Sequence, residues 1–344
     1  MPELLTCRGC FGPSSPTVYA PPQAQISVCS FCDDGSVPTW PASTWEVAFT
    51  PLVELYRPSE DVSFPPIHDQ LAIDWPVFSA DFDSDKRRAL LTSIFPTGYP
   101  LLASEHVEAI RVGGRPHRRD AWDRLAREVS LRNRYFPNID IDLDTLRREL
   151  AARTRTLSAG HQYFRARHSA SKLAFSSGEM GPPPREQASG GRANPHGIPH
   201  LYLAKELETC IAEIRPTAPI YVYVARFKTL RNVTVLDLCN VSPIDPFVDS
   251  DSLDIEVVDI HRLVLGFAND LGKPVRRSTI GTEYLASQYI CEFIKSIGID
   301  GVMYRSAATS DGTNLVLFNS ELVQASSMVT QHFVSGVKYE YDLP

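Results

Sequence analysis

Four cysteines near the start of the chain have the spacing of a metal site. They form two C-x-x-C knuckles separated by 18 residues, and the set is Cys7, Cys10, Cys29 and Cys32. Two such knuckles offer four thiolates to one tetrahedral ion, so the spacing predicts a structural zinc site with no open coordination position. A redox pair or disulfides are the alternatives, which a cytosolic chain with this spacing disfavours.

A second set of residues suited to chemistry lies in the middle of the chain. A loop rich in glycine and proline over residues 178–199 is followed by a short apolar segment at 201–203, which predicts a strand. Helix formers then continue to Glu213 and must stop before Pro216. A carboxylate in the last turn of a helix opposes the helix dipole, so we expect a functional reason for Glu213.

Several motifs in this order resemble the RES domain, a family named for its Arg, Glu and Ser. The resemblance covers residues 162–318 and rests on a spaced set: Arg192, Tyr202, Glu213, residues 301–306 and residues 314–318. RES domains are similar to ADP-ribosyltransferases in fold, and the family includes toxins that consume NAD and are neutralised by an Xre-type antitoxin. The resemblance implies that this chain binds NAD and breaks its nicotinamide–ribose bond.

With NAD as the substrate, each candidate residue has a chemical reason. Departure of nicotinamide leaves oxocarbenium-like charge on the ribose, and the carboxylate of Glu213 is the candidate to stabilise it. Arg165 and Arg192 are the candidates for the pyrophosphate, because guanidinium groups offer forked donors. Tyr202 offers a ring for stacking nicotinamide, and Ser306 a hydroxyl for the amide or ribose. We predict Glu213, Arg192, Tyr202 and Ser306 as catalytic residues. The predicted substrate-binding residues are Arg165, Arg192, Tyr202 and Ser306.

The candidate residues do not determine which acceptor takes the ADP-ribosyl group. With water as the acceptor the protein would be a glycohydrolase, and with phosphate a phosphorylase, whereas transfer to a protein or another acceptor would make it an ADP-ribosyltransferase.

A hypothesis of a different class is an RNA-binding or ribonuclease module with a HEPN-like helical domain. Arg111 and His117 have the spacing of a HEPN ribonuclease pair, but two glycines and a proline between them oppose the required helix. Eight arginines over residues 111–134 form a basic patch.

The elements that must position these residues predict an α+β fold. Apolar residues at helical spacing indicate helices at 86–94, 122–135, 143–155 and 282–297, and β-branched or aromatic runs indicate strands at 201–203, 220–225, 302–304 and 314–319. Strands this short favour two small packed sheets with helices. No GxGxxG follows a strand, which argues against a Rossmann crevice.

The order of motifs predicts four parts: a zinc knuckle at 1–40, a helical domain at 41–158 that resembles HEPN and RES N-terminal domains, the RES domain at 159–330 and a tail at 331–344. We interpret residues 240–281 as an insertion.

Three aspartates, Asp140, Asp142 and Asp144, resemble the start of a calcium loop, but Thr145 and Ala151 stand at its glycine and glutamate positions. We therefore predict helix capping for them.

The composition of the chain limits which classes of binding partner are expected. The chain has 344 residues, 43% of them hydrophobic, and a formal charge of -7, which argues against nucleic acid as a partner of the whole chain. It has neither an apolar run of bilayer length nor a signal-peptide pattern, so we expect a cytoplasmic protein without a membrane partner. The expected partners are NAD, an antitoxin or regulatory protein, and a second copy in a homo-oligomer.

Overall fold

The computed structural model describes residues 3–110, 121–139, 141–168, 174–241, 244–247, 255–273 and 284–337. The chain forms two compact units, Met1–Ala121 with Pro243–Arg262 and Trp122–Ser242 with Leu263–Pro344. The sequence predicts a boundary at residue 158, whereas the second unit begins at Trp122. Residues 243–262, predicted as part of an insertion, belong to the first unit.

The first unit starts with a three-stranded antiparallel sheet of order β1-β3-β2. Its strands are β1 (Leu5–Cys7), β2 (Gln25–Ser27) and β3 (Val37–Pro41). Cys7 is the last residue of β1, and a single turn of 3-10 helix at Arg8–Cys10 carries the chain on to Cys10. A strand end followed by a tight turn therefore places the first two cysteines side by side.

Helices and an aromatic core complete the first unit. The helices are α1 (Glu46–Val53), α2 (Ile67–Asp74) and α3 (Ser84–Ile94), and β4 (Tyr56–Pro58) pairs with β5 (Val107–Ala109). Phe49 is fully buried, and its ring centroid lies 6.1 Å from that of Phe78 and 5.2 Å from that of Phe247. The predicted helix at 86–94 starts two residues earlier, because the Asp83 carboxylate accepts the Lys86 N–H at 2.8 Å.

One sheet of eight strands forms the second unit. Its order is β13-β9-β7-β8-β12-β11-β10-β6, and every neighbouring pair is antiparallel except β10 and β11. The strands are β6 (Thr154–Leu157), β7 (Gln162–Arg167), β8 (Leu201–Ala204), β9 (Ile220–Thr229), β10 (Val233–Asp237), β11 (Gly301–Arg305), β12 (Thr313–Leu317) and β13 (Val323–Val334). With the helices around it, this sheet confirms the predicted α+β class.

The strands expected in two small packed sheets lie in one sheet of eight strands, in which a narrow junction separates two groups. β7 and β8 meet at a single residue pair, Phe164 with Ala204, whereas β7 pairs with β9 over six residues. The junction divides the sheet into three strands on one side and five on the other. A pocket lies beside this junction.

The helices that belong wholly or partly to the second unit are α4 (Ala121–Leu131), α5 (Leu143–Ala152), α6 (Leu207–Glu213), α7 (Ile255–Gly272) and α8 (Leu285–Ser296). The predicted helix at 143–155 ends early, because Thr154–Leu157 pair with β10 as strand β6. Asp142 caps α5 as predicted, accepting the Thr145 N–H at 2.7 Å. None of the described helices has the length and apolar character that spanning a bilayer requires.

Candidate functional site

The four N-terminal cysteines come together in the first unit. Their sulfur atoms all lie within 4.8 Å of one another, with Cys7 Sγ 3.4 Å from Cys32 Sγ and Cys10 Sγ 3.2 Å from Cys29 Sγ. None of them forms a disulfide. Burial raises the pKa of the Cys32 thiol to about 12, so a bound cation is what would favour its thiolate form. The arrangement fits one metal ion held by four sulfurs.

A pocket of about 240 Å³ opens at the β7–β8 junction of the second unit. Strand β7 supplies Phe164, Arg165 and Ala166 to its wall. The remaining lining comes from β8, α6, β11 and β12: Tyr202, Leu203, Ala204, Cys210, Glu213, Ile214, Tyr304 and Asn314. Three residues predicted from the sequence, Arg165, Tyr202 and Glu213, therefore share one pocket.

Glu213 is the last residue of α6, and two donors from one hairpin hold its carboxylate. Ser306 Oγ donates to Glu213 Oε1 at 2.6 Å, and Asn314 Nδ2 donates to the same oxygen at 2.6 Å. Ser306 follows β11, and Asn314 lies in β12 opposite Tyr304. The hairpin of β11 and β12 thus fixes the orientation of the carboxylate at the pocket wall.

The other end of α6 is fastened to the same hairpin. Glu206, which precedes the helix, accepts the Thr313 N–H at 2.9 Å and the Thr209 hydroxyl at 3.3 Å through Oε2. Ser306 N–H donates to the carbonyl of Gly312 at 2.9 Å, which closes the hairpin turn. Two glutamates, one at each end of α6, therefore link this helix to the hairpin.

Arg165 brings a positive charge into the pocket. Its guanidinium donates to the carbonyl of Tyr202 at 2.8 Å, while its buried Nε has no hydrogen-bond partner among the described residues. Burial, with a contribution from Arg167, lowers the pKa of Arg165 to about 10, so it stays charged at neutral pH. Arg167 lies two residues along β7, on the same face of the strand, and donates to the Gly181 carbonyl at 2.6 Å.

Tyr202 connects the pocket to the loop that carries Arg192. Its hydroxyl donates to Asn194 Oδ1 at 2.7 Å and accepts the Ala193 N–H at 3.1 Å. Burial raises the pKa of Tyr202 well above its usual value, so the phenol stays protonated. A Cβ on Gly191 would lie 2.7 Å from this hydroxyl, so only glycine fits there.

Helix α8 supports the same loop from its other side. Ser287 Oγ donates to the Arg192 carbonyl at 2.6 Å, and Gln288 Nε2 donates to the carbonyls of Gly191 at 2.8 Å and Asn194 at 3.0 Å. The Arg192 guanidinium itself donates to the Leu271 carbonyl, and Arg192 does not line the pocket described above. In this geometry Arg192 anchors its own loop.

Comparison with known proteins gives the family. A model of the RES domain matches residues 162–342, which include every residue of this pocket. The chain belongs to the RES domain family. No curated protein matches it.

A solved structure, the crystal structure of the M.tuberculosis MbcT-MbcA toxin-antitoxin complex, is similar to this chain at a low level. The identity is 17%, the match covers 56% of this chain and 94% of that chain, and the TM-score is 0.32.

Sequence reasoning missed two polar residues of the RES pocket. Tyr304 and Asn314 face each other across β11 and β12, and both are buried. A signal for Asn314 exists, since a lone amide inside an apolar strand needs a hydrogen-bond partner. The partner itself, Glu213, lies 101 residues away in the sequence, so no local pattern identifies it.

Other predicted features fall wholly or partly outside the described residues. Arg111, His117 and Asp140 fall outside the described residues, as does the first part of the basic patch. Within the described part of that patch, Arg132 pairs with Glu128 at 3.9 Å on α4, which is an ordinary surface contact.

Proposed function

We propose that the protein cleaves the nicotinamide–ribose bond of NAD and transfers the ADP-ribosyl group to water or phosphate. The observation that carries the proposal is the Glu213 carboxylate, held by two donors in a pocket that also contains the Arg165 cation. Membership of the RES family supports the same substrate. The proposal places the enzyme in the cytoplasm, where NAD is abundant.

A fixed carboxylate suits this reaction. Nicotinamide leaves as a neutral base, so the difficulty is the positive charge that develops on the ribose. Among the described residues, both donors to Glu213 bind Oε1, which leaves Oε2 to interact with the ribose or with the attacking acceptor. A carboxylate fixed before the reaction stabilises that charge without reorganising.

The phosphates of NAD would be held by the cationic face of β7. Arg165 and Arg167 lie on the same face of the strand, and each has a buried Nε without a partner among the described residues. The cost of leaving such donors unpaired is recovered when phosphate oxygens accept from them. The rings of Tyr202 and Tyr304, which both line the pocket, provide faces for the nicotinamide.

The test is to incubate the purified full chain with NAD, with and without phosphate, and in parallel with RNA, and to separate the products by chromatography. The proposal predicts loss of NAD with release of nicotinamide, and the second product distinguishes water from phosphate as the acceptor. Retention of the ADP-ribosyl group on protein would indicate a transferase. Intact NAD together with cleaved RNA would support the ribonuclease hypothesis instead.

We also propose that the four N-terminal cysteines hold one structural zinc ion. Their mutual distances match a single tetrahedral ion, and a set of four thiolates leaves no position for a substrate. In this proposal the zinc ion belongs to the first unit and the catalytic pocket to the second. A toxin of this kind would need an antitoxin or regulatory protein as its partner.

A further inference from the structure

One buried side chain, Asn194, organises the loop over residues 189–198. Its Nδ2 donates to three backbone carbonyls of the same loop: Ser189 at 3.1 Å, Pro195 at 3.1 Å and Ile198 at 3.0 Å. An asparagine amide that bonds to its own neighbouring backbone competes with regular structure and fixes an irregular one. The three carbonyls lie at the start, middle and end of the loop, so this amide holds the loop closed.

The oxygen of the same amide reaches Tyr202 in the RES pocket. Asn194 Oδ1 accepts the Tyr202 hydroxyl at 2.7 Å, and the Ala193 N–H donates to that hydroxyl at 3.1 Å. The loop therefore engages both the proton and a lone pair of the phenol. In this arrangement the hydroxyl of Tyr202 makes structural contacts, and the residue offers its ring to the pocket.

The other polar contacts of Tyr202 hold its backbone. Tyr202 pairs with Val316 of β12 in the sheet, and its carbonyl accepts the Arg165 guanidinium at 2.8 Å. Neither contact restrains the side chain, which can turn about two bonds between the backbone and the ring. The hydroxyl contacts with the loop restrain the far end of the ring, so the shape of the loop sets the angle of the ring.

We propose that Asn194 is a positioning residue for the reaction, which fixes the loop and, through it, the Tyr202 ring. Asn194 does not line the RES pocket, so it acts through Tyr202. The kinetic part of this inference rests on the proposed cleavage of NAD, whereas the fixing of the loop does not. A misplaced ring should slow the departure of nicotinamide more than it weakens binding, because charged contacts to the phosphates hold most of the substrate.

A double-mutant cycle between Asn194→Ala and Tyr202→Phe tests whether Asn194 acts through the phenol. Each single variant of the full chain is expected to lower kcat about tenfold and to raise KM less than about threefold. Because both changes break the same contact, the double variant should lose no more than about twofold beyond either single variant. A double variant with the product of the two losses, about a hundredfold, would overturn the proposal.

Two further variants separate the loop from the phenol and from stability. Asn194→Asp keeps an acceptor for Tyr202 but places a carboxylate against the three carbonyls, so it should lose as much activity as Asn194→Ala. Wild-type kcat in Asn194→Asp would show that the loop contacts do not matter. The control is Asn232→Ala, which removes an amide that accepts the Ala159 N–H at 3.1 Å outside the pocket, and it should keep wild-type kcat.

Hydrogen exchange of the ligand-free chains tests the fixing of the loop without NAD. The Ala193 N–H bonds to Tyr202, and the Gly197 N–H donates to the Ala188 carbonyl at 2.8 Å. Both amides should exchange faster in Asn194→Ala than in wild type, and at the wild-type rate in Asn232→Ala. Unchanged exchange in Asn194→Ala, or faster exchange with unchanged kcat, overturns the proposal.

Failure of the proposed reaction has a different signature. A wild-type chain that leaves NAD intact would remove the reaction and with it the kinetic role of Asn194. The exchange rates of Ala193 and Gly197 would still decide whether Asn194 fixes the loop.

Discussion

The cysteine cluster and the Glu213 pocket are built in opposite ways. All four sulfurs come from two short turns within the first 32 residues, and each sulfur would bind the same ion. The pocket instead takes its groups from β7, β8, α6, β11 and β12, and its lining residues lie between positions 164 and 314. Removing one ligand from the cluster should therefore disrupt folding, whereas removing one group from the pocket should alter chemistry and leave the fold intact.

The largest effect is expected from Cys29→Ser. A structural zinc ion contributes about 10 kcal/mol or more to the folding of a small metal domain, and three thiolates hold it poorly. Metal analysis should show about one zinc per chain in wild type and almost none in the variant, with unfolding of the first unit at lower temperature. Cys239→Ser, which removes an isolated thiol, is the control and should retain zinc. Full zinc content in Cys29→Ser would contradict the assignment.

Glu213→Gln should have the next largest effect, on rate rather than stability. The amide oxygen of glutamine still accepts from Ser306 and Asn314, so the hairpin contacts persist. Loss of the negative charge should cost on the order of 3 kcal/mol at the transition state, which is about a hundredfold in turnover of NAD. Turnover and thermal unfolding measured on the same sample check this. A parallel loss of stability would show that Glu213 acts in folding instead.

Arg165→Ala should weaken NAD binding by a smaller amount. One charge-assisted hydrogen bond contributes about 2 kcal/mol, which corresponds to roughly thirtyfold in affinity. Calorimetric titration in the Glu213→Gln background measures binding without turnover. Arg226→Ala, which removes an exposed arginine of β9, should bind NAD like the parent. Arg167→Ala should also bind more weakly, and unchanged affinity in both Arg165→Ala and Arg167→Ala would place the phosphate site elsewhere.

The smallest effect is expected from Glu206, which supports the pocket without lining it. Glu206→Ala leaves the Thr313 N–H without its acceptor and should cost about 1 kcal/mol, with a severalfold fall in kcat as Ser306 and Asn314 lose their fixed positions. Glu206→Gln keeps an acceptor oxygen and should restore most of the activity. Equal loss in both variants would show that the charge of Glu206, rather than its hydrogen bond, is what matters.

The same contrast explains which features could be predicted from the sequence alone. The cysteine spacing, the Asp142 cap and the position of Glu213 at a helix end are local features, and each could be predicted from neighbouring residues. Asn314 reaches Glu213 across 101 residues, and Glu206 reaches Thr313 across 107. Such contacts depend on strand register and on the single-pair junction of β7 and β8, which follow from the packing of the whole sheet.

The role of Glu213 in NAD cleavage is tested most directly by measuring nicotinamide release by wild type and by Glu213→Gln. The two proteins are purified in parallel and compared at equal concentrations of folded protein. We expect wild type to release one nicotinamide for each NAD consumed. The variant should react about a hundredfold more slowly and unfold at the same temperature as wild type. Intact NAD in the wild-type reaction, or equal rates for the two proteins, would contradict it.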